Sequence, residues 1–490
     1  MNELPYFKEI SVPEIRHKEN EFVDFRTQAL LPRMYSADGP ALAVDDVNGD
    51  GYKDLFLGGS KGHSSTLYFG DESNSYVKSE NSFAEDAAFE DVDASFFDAN
   101  NDGFVDLYVV SGGYEFSSND NLLQDRLYIN SGKGEYERSL DKLPKMITSS
   151  SCVRPYDYDN DGDIDLFIGG RIVPGRYPEV PRSYILKNDG QGFFEEVTST
   201  MAEDISQIGM VTDARWADIN GDSIGDLIVV GEWMGIKIFI NQNGKLIDRS
   251  SEFLKEEFSG WWSSIEVGDL DGDGDIDFVA GNHGLNNQMK PSAQQPVTMF
   301  YGDYDKNGSV DPILFYYIQG QNFPYASRDE LLEQIPTLKK NFIDYESYSS
   351  ARLENVLTVE QREGSKTLIA SNFETAIFLN DENQGFTRKS LPAQAQFAPI
   401  NSIGIIDINN DKIQDIILGG NLEKTRVRTG MYTGNNGFVF LGSEQGTFTY
   451  LEQTTSGLNL TGTVRKIISD KNRVLFGRNN ASIKVYELNR

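Results

Sequence analysis

Short apolar runs ending in glycine recur along this chain, and each follows a densely acidic stretch. DLFLGG (54–59), DLYVVSGG (106–113), DLFIGG (165–170), DLIVVGE (226–232) and DIILGG (415–420) are too short for helices and read as buried strands. A second pattern follows: a strand ending in Asn or Gly, a tight turn, then Phe or Tyr on the returning strand. LYINSGKGEY (127–136), ILKNDGQGFF (185–194), IFINQNGKLI (238–247), IFLNDENQGF (377–386) and FLGSEQGTF (440–448) carry it, with the turn chemistry of hairpins. Each unit is therefore four antiparallel strands: A, acidic loop, B, a longer connection, C, hairpin, D. Units of about 50 residues repeated in this way predict an all-β propeller spanning 1–490 as a single domain.

The acidic stretch has a fixed form, seen seven times: Asp at 1, Asp or Asn at 3 and 5, usually Gly at 6, Asp at 9. A tight loop converges the side chains at 1, 3 and 5, a carbonyl at 7 joins them, and the carboxylate at 9 closes an oxygen cage suited to Ca²⁺. The predicted ligands are Asp46, Asn48, Asp50, Tyr52 and Asp54 in the first loop, and Asp98, Asn100, Asp102, Phe104 and Asp106 in the second. Asp157, Asp159, Asp161, Asp163 and Asp165 form the third set, and Asp218, Asn220, Asp222, Ile224 and Asp226 the fourth. Asp269, Asp271, Asp273, Asp275 and Asp277 form the fifth, Asp303, Asp305, Asn307, Ser309 and Asp311 the sixth, and Asp407, Asn409, Asp411, Ile413 and Asp415 the seventh. The bend at position 6 favours positive φ, so Ser223 and Lys412 predict strain of about 1 kcal/mol and weaker binding in the fourth and seventh loops. An EF-hand needs a bidentate Glu at position 12; here that position is Leu57, Val109, Ile168, Val229, Ala280, Leu314 and Leu418, all strand residues. The EF-hand is excluded.

Counting strands gives eight four-stranded units, two of them without the acidic loop, if VTMFYGD (297–303) and DPILFYYI (311–318) are strands C and D of the fifth blade. Treating them as A and B of a new blade instead keeps seven loops in seven blades and leaves later strands unassigned. The last unit supplies only three strands, at 464–470, 473–479 and 483–488, so the N-terminal YFKEIS (6–11) is predicted to complete it and close the ring. Residues 327–356 depart from the repeat. Ser327 and Glu330 form a capping box, and Leu331, Leu332, Ile335, Leu338 and Phe342 follow at helical spacing, which predicts an inserted helical brace or, alternatively, a partner-docking element.

Composition narrows the function. A formal charge of −32 argues against nucleic acid and against electrostatic docking on an anionic membrane, and no apolar run is long enough to span a bilayer. Seven calcium ions would bring that charge to roughly −18. The one cysteine, Cys152, excludes an intrachain disulfide and reads as a small buried residue. The N-terminus lacks the apolar core of a signal peptide, so the expectation is either a cytosolic chain or an export or anchoring segment outside this sequence.

These repeats resemble the FG-GAP/VCBS family, which includes the integrin α-subunit propeller. VPGRYPEVPRSYILKNDG, GMVTDARWADINGD, VVGEWMGIKIFIN and SGWWSSIEVGDLDGDGDIDFVAGN look more narrowly like ASPIC-type proteins of Bacteroidetes-like bacteria. The resemblance implies calcium in the A–B loops, a location outside the cytoplasm (extracellular, cell-surface or periplasmic), and adhesive or ligand-binding roles.

Geometry adds a prediction about the ligand. If all acidic loops are A–B or C–D turns, calcium lies on one face and the long B–C connections (113–126, 170–183, 281–296, 420–436) crowd the other, where long loops usually carry function. Arg171, Arg176, Tyr177, Arg182, Trp233, His283, Arg426 and Arg428 are the candidate ligand-binding residues there, suited to an anionic glycan or an acidic protein segment. The alternative is that these arginines neutralise neighbouring carboxylates. Three functions stay open: a calcium-stabilised binding or adhesion module, a polysaccharide-active enzyme of lyase type with His283 as its base, and a structural subunit of a cell-surface assembly. With three histidines and no nucleophile elbow, HExxH or P-loop, the sequence favours binding over catalysis.

Overall fold

The structure is a computed structural model that describes residues 4–72, 75–80, 83–381, 385–470 and 472–489. Every acidic loop joins two antiparallel strands in one register: the residue just before position 1 pairs with the Asp at position 9, as in Asp45↔Asp54, Phe97↔Asp106 and Ile406↔Asp415. The described strands form eight antiparallel sheets, the number the strand count gave, but one of them has Gly260–Trp261 as a fifth strand and only one, where two were expected, lacks an acidic loop.

Seven of them form a ring. The first blade is Leu42–Asp45, Asp54–Leu57, Thr66–Gly70 and Tyr76–Lys78; the second is Asp91–Phe97, Asp106–Ser111, Arg126–Asn130 and Tyr136–Ser139. The third is Ser149–Tyr156, Asp165–Ile172, Tyr184–Asn188 and Phe194–Glu196; the fourth is Met210–Ala217, Asp226–Met234, Lys237–Gln242 and Lys245–Asp248. The fifth is Ser264–Gly268, Asp277–Gly281, Ala376–Leu379 and Thr387–Ser390; the sixth is Ile400–Ile406, Asp415–Gly420, Phe438–Leu441 and Thr449–Leu451. The turn between the last two strands of the fifth blade contains residues 382–384, so part of the hairpin expected at 377–386 lies outside the described residues. The seventh blade is Val464–Asp470, Arg473–Arg478 and Lys484–Leu488, completed by the N-terminal Phe7–Ile10 against Leu488–Val485, which is the predicted closure.

The core is divided accordingly. Each pair of neighbouring blades shares its own apolar cluster, because alternating side chains of a two-sided blade must bury both faces. Phe56, Leu107 and Tyr128 join the first two blades, and Leu42, Leu55 and Leu57 meet Leu475, Ile483 and Val485 to close the circle. Cys152 sits in the cluster between the third and fourth blades, and burial pushes its thiol up to about 11. It is a packing residue.

The eighth sheet corrects the strand assignment. Val297–Gly302 and Asp311–Ile318 are not strands of the fifth blade; they are the middle pair of a sheet flanked by Gln321–Pro324 and Lys366–Ala370. This sheet is inserted whole between the second and third strands of the fifth blade. It packs on the B–C side through Val297, Met299, Val310 and Leu314 with Tyr114, Tyr177 and Trp261. The sixth acidic loop therefore stands apart from the ring's other six, each of which joins the first two strands of a ring blade. Nothing in the repeat distinguishes this loop, because its local pattern is that of any strand–loop–strand unit.

The capping box at Ser327 and Glu330 opens a helix over Arg328–Gln334, and further helical turns reach Glu363, beyond the expected boundary at 356. Leu331, Leu332, Ile335, Leu338 and Phe342 are buried against Ile313 and Phe315 of the inserted sheet. The segment before the first blade crosses the same face: Met34 N–H donates to Lys424 O, and Asn479 Nδ2 donates to Gly39 O.

Candidate functional site

The acidic loops are built by their own first and last residues. Asp46 accepts the backbone N–H groups of Gly49, Asp50 and Gly51, and the same Asx geometry recurs at Asp98, Asp218 and Asp407. Position 6 has positive φ in every loop, at Gly51, Gly103, Gly162, Gly274 and Gly308 as at Ser223 (67°) and Lys412 (77°). The N–H at position 7 (Tyr52, Phe104, Asp163, Ile224, Asp275, Ser309, Ile413) donates to the side chain at position 5, which holds the peptide between positions 6 and 7.

Position 9 is fully buried in all seven loops. Asp54 Oδ2 accepts Val47 N–H at 2.9 Å and its Oδ1 accepts Gly70 N–H at 2.8 Å, so one carboxylate ties the loop to strand C. Asp106, Asp226, Asp277 and Asp415 repeat this. Burial first, and neighbouring loop carboxylates next, push Asp54, Asp106, Asp226, Asp311 and Asp415 up to about 6 and Asp277 to about 7. Asp165 also rises to about 7.

A divalent cation fits this donor set. Carboxylate oxygens of Asp157, Asp159 and Asp165, of Asp269, Asp271 and Asp273, and of Asp303, Asp305 and Asp311 lie within 4.8 Å of one another. Five loop oxygens (Asp159 Oδ1, Asp165 Oδ2, Asp271 Oδ1, Asp275 Oδ1 and Asp305 Oδ1) are buried without a protein partner. Buried carboxylate oxygens in that state are costly unless a cation satisfies them. In the third loop Lys187 Nζ already reaches Asp159, and Asp161 at 3.0 Å, so that loop carries a protein cation of its own.

The sequence reading missed two features of the ring. Asn130, Asn188, Asn241 and Asn380, read only as turn residues, are staples. Each donates its Nδ2 to the A–B loop of the preceding blade: Val47 O, Ala99 O, Tyr158 O and Ile219 O. Their recurrence at the end of strand C was the available signal. The second is an ion-pair belt across the central channel, running Lys466–Asp93–Arg154–Asp213–Arg215–Glu266 and linking the seventh, second, third, fourth and fifth blades. Burial alone would raise the Asp213 carboxyl, yet Arg215, Arg154 and Lys466 hold it well below the ordinary range. Polar residues within the A strands, as in SCVRPY and VTDARWA, were the signal here.

The predicted ligand residues divide into two groups. Tyr177, Trp233, Arg171 and His283 are buried at the B–C end of the channel. Trp233 Nε1 donates to Tyr177 Oη at 2.6 Å, Tyr177 Oη donates to Glu232 Oε1 at 2.9 Å, and Arg171 Nη2 donates to Glu232 Oε2 at 2.5 Å. His283 is enclosed by Trp261, Phe373 and Tyr432, and burial pushes its imidazole down to about 4. The others lie outward and find carboxylates of this chain: Arg176 with Glu179, Arg182 with Glu196, and both Arg426 and Arg428 with Glu330. The arginine forks are paired rather than free.

A ring of four-stranded blades with acidic A–B loops defines a β-propeller of the repeat-loop class. An FG-GAP-like repeat model matches residues 46–109, 98–168 and 218–280, so the chain carries FG-GAP-like repeats across its first five acidic loops. No curated protein matches the chain. Among solved structures, it is similar to an Agrocybe aegerita lectin that recognises non-reducing terminal N-acetylglucosamine (14% identity, 85% of this chain and 79% of that one, TM-score 0.44). It is also similar to the V. cholerae biofilm matrix protein Bap1 (10% identity, 99% and 91%, TM-score 0.40) and to YCF48 bound to D1 peptide (9% identity, 97% and 100%, TM-score 0.40). Among the described residues no helix is long and apolar enough to cross a membrane.

Proposed function

We propose that this protein is a calcium-stabilised binding module acting outside the cytoplasm, which engages a glycan or protein partner through the face opposite the ring's acidic loops. The observation that carries this reading is the set of buried loop carboxylate oxygens without a protein donor. Bound calcium would satisfy them and lower the repulsion within each loop, leaving the blades stiff enough to present a fixed surface. The narrower resemblance to ASPIC-type proteins carries the same expectation of location.

The opposite face supports a partner-binding role. Glu330 clamps Arg426 and Arg428 on either side of Val427, which is left fully exposed. Met431 is exposed on the same connection. Leu285 and Phe397 are exposed nearby, where Leu285 N–H donates to Gln396 O. Pinned apolar groups with a polar rim suit a protein segment or the flat face of a sugar.

Melting curves with calcium and with EDTA test the metal. Each site at a hundredfold excess of calcium over its Kd adds about 2.7 kcal/mol, so chelation is expected to lower Tm by more than about 10 °C. A chelator-insensitive melt, with no calcium in the purified protein, would end this reading. Glycan-array binding by wild type and Val427→Asp/Met431→Asp then tests the face: the expected result is lost binding at unchanged Tm.

A further inference from the structure

The seven inner strands enclose a channel cavity of about 390 Å³, closed at its B–C end by the strap Arg33–Asp38. The belt described above lies along the channel, and its three cations, Lys466, Arg154 and Arg215, are matched by Asp93, Asp213 and Glu266. The end beneath the strap is rich in guanidinium groups. Its lining carries three guanidinium groups, Arg33, Arg171 and Arg465, against two carboxylates, Asp38 and Glu232. Both carboxylates are fully engaged: Asp38 by Arg33 at 2.8 Å and Arg465 at 2.9 Å, Glu232 by Arg171, Tyr35 and Tyr177. Asp24 stands behind the strap and accepts Tyr35 N–H, Ser36 N–H and Ser36 Oγ–H.

The atoms left without partners at this end are mostly donors. Arg171 Nη1, Trp261 Nε1 and Arg465 Nε are buried without a hydrogen-bond partner, and all three residues line the cavity. Arg171 is 5% exposed and Trp261 9%, so neither meets bulk solvent. His283 lines the same wall with Nε2 unpartnered. Clustered guanidinium groups together with unfilled donors from separate elements are the chemistry of an anion site.

We propose that the strap-covered end of the channel binds a small oxyanion, of the carboxylate or sulfate class, held by Arg171 and Trp261 with Arg465 supplying charge. The site is separate from the partner face and does not rest on the reading given for it. An oxyanion here would complete the donor set and tie the strap to the third, fourth and seventh blades.

Thermal unfolding of the calcium-loaded full chain, titrated with malonate or sulfate at constant ionic strength against chloride, tests the site. The expected result is a saturable rise in Tm with one or both oxyanions and not with chloride; malonate alone identifies a planar carboxylate, sulfate alone a tetrahedral ion. Trp261→Phe removes one donor and keeps a ring, and Arg171→Lys keeps a cation for Glu232. Each is expected to raise the half-saturating concentration at least tenfold. No saturable shift with either oxyanion, or equal half-saturation in wild type and both folded variants, overturns the proposal.

Discussion

At the residue scale, buried carboxylates have opposite fates depending on what surrounds them. Asp213 and Asp38 are held ionised by arginines, whereas Glu19, Glu90 and Glu115 gather beside the second blade with few cations to balance them. Asn20 Nδ2 donates to Glu115 at 2.7 Å and Glu90 at 3.3 Å, and Lys61 N–H donates to Glu90 at 2.7 Å. Burial, then the Glu19 and Glu115 charges, push Glu90 well above the ordinary range; burial likewise pushes Glu19 up to about 7. Both hold protons in the folded chain that the unfolded chain has released, so each contribution is full below about pH 4.5; that of Glu19 is lost as pH rises through about 7, and that of Glu90 keeps falling across this range. In saturating calcium, Tm should therefore fall between pH 5 and 8, and Glu90→Gln should flatten that slope and raise Tm at pH 8. An unchanged slope in the variant would refute the assignment. Ser223 and Lys412 offer a second residue-scale test. With φ of 77° at Lys412, Lys412→Gly should stabilise the protein by about 1 kcal/mol in denaturant unfolding, while Lys412→Ala should not.

At the element scale, strand, loop and hairpin were legible in the sequence because each is set by local chemistry. Short apolar runs, Asx turns at position 1 and the φ demand at position 6 are local signals, and all seven loops carry them. The assignment of 297–318 stayed open between two alternatives for the complementary reason. A strand's sequence records that it is buried, and not which neighbour covers it, so an inserted sheet reads as two more blade strands. The candidate arginines were found by position but not by state: Arg426 and Arg428 lie on a B–C connection as expected, and Glu330, about a hundred residues earlier, occupies them. The Asn staples were visible as a recurrence, but their acceptors belong to the preceding blade.

At the scale of the whole molecule, stability depends on closure, since no blade buries both faces alone. Phe7–Ile10 pairs with the last strand, and Phe7 packs with Val474, Tyr486 and Leu488. Deleting residues 1–11 should leave Lys484–Leu488 as an open edge, lowering Tm and causing concentration-dependent association in light scattering. A monomeric variant with unchanged melting would show that the ring holds without this strand.

The sequence by itself determined the repeat: where strands begin, where acidic loops bend, and that the N-terminus completes the last blade. Those follow from interactions within one unit, or from the arithmetic of a missing strand. Only the tertiary structure decided that seven sheets close the ring while the eighth covers it, which arginines are paired, and that the channel beneath the strap keeps donors unfilled. Such properties depend on groups hundreds of residues apart meeting in one low-dielectric space, and no local pattern encodes that meeting.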